Sequence, residues 1–122
     1  MYASKSGGKM MQEREDKINK AEAGRAKVLS FQMVGLRGTG NFGEYQANKF
    51  TLEVSSAYKS PYQTSCTWNV YTMGAPKVQE GCELDVKIDI EDPNVVYPMV
   101  NGVEYSWNGA ILDRAHKENK RI

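Results

Sequence analysis

The sequence predicts a mainly β domain, a small five- or six-stranded antiparallel barrel (of the OB or SH3 type) or sandwich with an N-terminal helical extension. Three observations carry this. From Val28 onward, apolar and polar residues alternate with the period of two of a strand that buries one face. The alternating runs are short and are separated by turns containing Gly, Pro and Asn. The chain has 122 residues, enough for one hydrophobic core but marginal for two. A barrel is preferred, because so few strands in an open sheet would leave both edges exposed.

Residues 1–10 read as a flexible leader of small residues, and MYASKSGG lacks the apolar centre of a secretory signal. Residues 11–27, MQEREDKINKAEAGRAK, read as a charged helical extension rich in helix formers, with Glu13/Lys17 and Asp16/Lys20 at the i, i+4 spacing. Its apolar positions are few, so the helix is expected to project from the body, with Gly24 as its stop.

Residues 28–109 are assigned to the barrel. In the first strand Leu29, Phe31 and Met33 alternate with Val28, Ser30 and Gln32 as far as Gly35. The glycines of GLRGTGNFG then predict a flexible hairpin loop, since neither phosphate-loop pattern is present and a strand follows. Phe50, Leu52 and Val54 mark the second strand; Tyr62, Thr64, Cys66, Trp68 and Val70 mark a third, paired with it by a hairpin. Met73 to Gly81 is long enough for a half-turn or crossover. Leu84, Val86, Ile88 and Ile90 alternate with Glu83, Asp85, Lys87 and Asp89, a fourth strand facing acid outward. Asn101-Gly102, between Val95–Val100 and Val103–Trp107, predicts a two-residue hairpin. Residues 110–122 form a basic tail, either a short helix or a frayed end.

Charge divides unevenly. Residues 1–27 hold seven basic and four acidic side chains, residues 28–112 five and nine, and residues 113–122 four and two, so basic termini flank an acidic body. No apolar run approaches the roughly 18 residues of a membrane-spanning helix.

No constellation for catalysis or for a metal emerges. Asp85 and Asp89 lie about 13 Å apart on an extended strand, too far to chelate one ion. Glu91, Asp92 and Asn94 lack the order of a calcium loop, and the acids read as a solvated face followed by a Pro-containing turn. His116, the only histidine, lies in the tail, and Cys66 and Cys82 have no CxxC spacing and read as reduced thiols. Neither a cofactor nor enzymatic activity is expected.

GRAKVLSFQMVG, the strand pair from Phe50 to Tyr71, and VQEGCELDVKIDIEDPNVVY together carry a family pattern. The last stretch resembles the G-x-x-[LV]-x-V-x-x-D-x-x-D-P signature of small bacterial β domains of unknown function, the DUF3592-like kind, often found beside membrane helices. Gly81 would make the turn into the strand and Asp92-Pro93 would close it. The resemblance spans roughly residues 24–97 and implies no catalytic residues; the membrane helix is not present in this sequence.

The functional expectation is a non-enzymatic interaction domain that binds a protein partner or is tethered near an anionic membrane surface, in a cytoplasmic location, membrane-associated or free. Candidate contacts are Arg14, Lys17, Lys20, Arg25, Arg37 and the outward aromatic Tyr71. The alternative is an OB-like nucleic-acid binder stacking bases on strand aromatics; the acidic body disfavours it. A homodimer through an exposed edge strand or the thin apolar stripe of the helix is a further expectation.

Overall fold

Six antiparallel strands curl into a nearly closed barrel in the computed structural model, which describes residues 12–107. A helix, α1, covers residues 12–20. The strands are β1 (Glu22–Gly40), β2 (Gly43–Ser55), β3 (Tyr62–Tyr71), β4 (Glu83–Ile88), β5 (Val96–Pro98) and β6 (Val103–Tyr105). A short 3₁₀ turn at Ala75–Val78 joins β3 to β4. The order across the sheet is β5-β4-β1-β2-β3-β6. The leader, the basic tail and His116 lie outside the described residues. No helix among the described residues is long and apolar enough to cross a membrane.

Even-numbered residues of β2, β3 and β4 face inward, as the alternation requires. Phe50, Leu52, Val54, Cys66, Trp68, Leu84, Val86 and Ile88 are all buried in one cluster. Closure brings the two edge strands together. The indole N–H of Trp68 crosses the interior to donate to the carbonyl of Val96 (2.9 Å), and the rings of Tyr97 and Tyr105 meet edge-on at 5.2 Å. This seam sets the two edge strands of the sheet, β5 and β6, against each other through side chains.

Several expectations need correction. The helix ends at residue 20 rather than 27, because Glu22–Lys27 is paired along β4 and its second half is also held by β2: Arg25 pairs with Ser55 of β2 and with Asp85 of β4. Two hydrogen-bonded neighbours outweigh the helix propensity of this segment. Gly24 is not a helix stop but a sheet residue, where a Cβ would stand 2.7 Å from the carbonyl oxygen of Ser55. Nor does α1 project. Ile18 is half-buried, and one turn earlier the Arg14 guanidinium lies over the ring of Trp107 at 5.1 Å.

The glycine-rich stretch is strand, not loop. β1 runs to Gly40 and turns back through Asn41-Phe42 alone, since Gly40 pairs with Gly43. Gly38 and Gly40 leave room on the outer face: a side chain at 38 would strike the ring of Tyr45, and one at 40 the hydroxyl of Tyr71. The aromatic rings occupy the space that the two glycines vacate.

The Asn101-Gly102 turn exists, with Gly102 at φ +86°, but it joins no hairpin. Gly102 offers its carbonyl to the N–H of Tyr71 (2.9 Å), which commits β6 to β3, while β5 pairs with β4. Finally, β4 stops at Ile88. Ile90 is exposed, whereas Asp89, read as part of a solvated face, is buried.

Candidate functional site

The site grows out of two irregularities in β1. Val28 pairs with Leu52 and Ser30 with Thr51, so Leu29 is an extra residue that shifts the inward phase from Ala26 and Val28 to Phe31 and Met33. A second, wider bulge follows. Met33 pairs with Asn48 and Arg37 with Gln46, leaving Val34, Gly35 and Leu36 opposite Ala47, with Gly35 at φ +79°. The Gln46 side chain holds this bulge by donating to the Leu36 carbonyl (3.2 Å) while its oxygen accepts from Nε of Arg37 (2.7 Å).

β4 pairs with β1 only over Glu22–Lys27, and Val28 is matched by Gly81 and Cys82. Beyond that point β1 has no strand on its second side among the described residues. The β1–β2 hairpin thus continues past the barrel as an arm with one free edge. Its tip is tied down on the outer face. The Phe42 ring packs edge-on against Tyr71 (5.3 Å), Asn41 Nδ2 donates to Glu104 (3.3 Å), and the Tyr71 hydroxyl donates to the same carboxylate (2.5 Å).

On its inner face the arm and the 3₁₀ turn enclose an open cleft of about 460 Å³. Phe31, Met33, Phe50 and Val78 supply an apolar lining, and its polar members include Arg37, Glu44, Gln46, Asn48, Thr72 and Gln79. Phe31 and Phe50 rings lie 5.5 Å apart, yet Phe31 remains 39% and Met33 69% exposed. Asn48 is 8% exposed, and its Oδ1 is buried without a hydrogen-bond donor. Nearly all buried polar atoms in folded proteins are paired, so an acceptor left open beside an apolar cleft marks a place where a donor is wanted.

The residues singled out from the sequence are scattered rather than gathered. Arg14 is held over Trp107, and Lys17 and Lys20 face the Asp89–Glu91 turn. Arg25 pairs with Asp85 at 2.8 Å on the outer surface. Tyr71 does lie on the outer face, but it is only 2% exposed, covered by Phe42 and Tyr45, so no base could stack on it. Burial and the adjacent Glu104 carboxylate raise the pKa of its hydroxyl. Of the six, Arg37 and the buried Tyr71 border the cleft, Arg37 in company with Asn48 and Gln46. Asn48 itself was readable: it is the polar member of the inward series Asn48, Phe50, Leu52, Val54.

Elsewhere polar groups serve the fold. Burial would raise the pKa of Asp89, but hydrogen bonds from the Tyr97 hydroxyl (2.5 Å) and the N–H groups of Glu91 (2.8 Å) and Asp92 (3.2 Å) outweigh it and hold the carboxyl below its ordinary value. Both cysteines are free; burial pushes the Cys66 thiol up to about 12. Among the described residues no group of three or more His, Cys, Asp or Glu is placed to hold a metal ion.

Comparison with known proteins returns no match of the chain to a family model, to a curated protein or to a solved structure.

Proposed function

We propose that this protein is a non-catalytic interaction domain that binds an extended, uncharged segment of a protein partner as an added strand along the free edge of β1. The carrying observation is the edge itself. Leu29–Leu36, LSFQMVGL, contains no ionisable side chain and no proline, lacks a neighbour on one side, and exposes Phe31 and Met33. Natural proteins guard long edges with charge, proline or a covering element, because unpaired backbone groups recruit another strand. An edge left unguarded suits a partner that supplies the missing hydrogen bonds, while pockets beside it read alternate side chains.

The surroundings favour a protein over a polyanion. Arg14 and Arg25 are engaged with Trp107 and Asp85, and Tyr71 is buried, so neither a polybasic face nor a stacking platform is assembled from the expected residues. A reducing, cytoplasmic setting belongs to the proposal and is supported by the two free thiols.

The test is selection from a displayed library of random peptides, followed by amide hydrogen exchange of the complex. The expected ligands are uncharged and extended, protect the Leu29–Val34 amides, and lose binding when Phe31 and Met33 are both changed to Lys. Ligands indifferent to that double change overturn the reading. So does a dimer, seen by light scattering, that protects the same amides without any peptide.

A further inference from the structure

Resting on that reading, we propose that the cleft beside the free edge receives one aromatic side chain of the partner segment that carries a hydrogen-bond donor, the chemistry of Trp or Tyr.

Three features specify this occupant. The cleft, about 460 Å³ in volume, is walled by the exposed ring of Phe31, backed by the buried ring of Phe50, and by the thioether of Met33, surfaces that favour a flat aromatic guest. Its buried acceptor, Asn48 Oδ1, lacks a donor and requires an N–H or O–H. The third feature is reach. Asn48 is on β2, paired with Met33 of β1, so a strand added beyond β1 would run two strand spacings away, roughly 10 Å. A long side chain crossing over Met33 can meet the Asn48 amide; a short one cannot. An indole or phenol tip satisfies all three requirements, whereas an aliphatic or Phe side chain fills the space and leaves the acceptor buried and unpaired.

Indole and benzofuran make the test, since they share size and shape but differ in having N–H or O at one position. Binding is followed by two-dimensional NMR of the full chain, reading backbone amides and the Asn48 side-chain amide. Indole is expected to shift the Phe31, Met33 and Asn48 signals and to bind about ten-fold more tightly than benzofuran, equivalent to about 1.4 kcal/mol. Asn48→Leu should abolish that preference while the spectrum stays folded, and Asn48→Asp, which keeps an acceptor, should retain it. Equal affinity for the two probes, or a preference for benzofuran, overturns the proposal. The two readings fail separately. Library peptides that hold the β1 edge but carry neither Trp nor Tyr at a common position remove the aromatic guest and leave strand addition standing. Indole discrimination without any peptide on the edge removes the partner, and this proposal with it.

Discussion

The two halves of β1 are one strand in two environments. Over Arg25–Val28 it is hydrogen-bonded on both sides, by β2 and by β4 with the Gly81–Cys82 backbone, and its inward residues are small, Ala26 2% and Val28 0% exposed. Beyond the Leu29 bulge it is flanked on one side, and its inward residues are large, Phe31 and Met33, yet far more exposed. Small side chains are buried where strands converge, and large ones stay open where a neighbour is missing. Side-chain size is therefore no guide to burial in this strand; the number of flanking strands decides it.

That contrast can be broken most forcefully from the closed side. Trp68→Ala removes a fully buried ring and its hydrogen bond to Val96 across the seam, and should cost about 3–5 kcal/mol by urea denaturation. Met33→Ala, on the open half, should change stability by less than about 0.5 kcal/mol in the same measurement. A comparable loss at Met33 would mean that the arm is part of the core.

An intermediate effect is expected at Tyr97, which donates to the buried Asp89 carboxylate. Tyr97→Phe should cost about 1.5–3 kcal/mol at neutral pH, the range for a hydrogen bond to a charged group. Because the Asp89 pKa is lowered in the folded state, its contribution is present above the unfolded value of about 3.9 and is lost as pH falls through the folded value. The variant should accordingly show a shallower loss of stability below about pH 4 than the parent.

The smallest effect concerns reactivity. Native Cys66 should resist alkylation at pH 8 while the half-buried Cys82 reacts, as read by mass spectrometry. The raised Cys66 pKa has its own pH signature. Its stabilising share is intact below the unfolded value of about 8.5 and fades as pH rises toward about 12, a slope that Cys66→Val should reduce.

The sequence made the closed region far more legible than the open one. β2, β3 and the body of β4 follow an unbroken period of two, so their inward faces could be read directly. β1 could not be read this way, because one extra residue at Leu29 and the unmatched Val34–Leu36 reset the phase twice, and bulges have no periodic signature. The Asn-Gly hairpin failed for a non-local reason: Tyr71 takes the Gly102 carbonyl and draws β6 to the far side of the sheet. Five of the six predicted contacts are cations, but Arg25 pairs with Asp85 and Arg14 lies over Trp107, neither near it in sequence. What points to a site instead is Asn48, an amide in the phase of a hydrophobic series.

The anchored tip of the arm sets the terms on which anything binds there. With Phe42 seated on Tyr71, and Asn41 and Tyr71 both on Glu104, the free edge is strung between the barrel and a fastened turn. Such an edge is preorganised: a strand that joins it meets backbone groups already in position, and most of the ordering entropy falls on the newcomer. Loosening the tip would weaken association without touching a single residue of the interface.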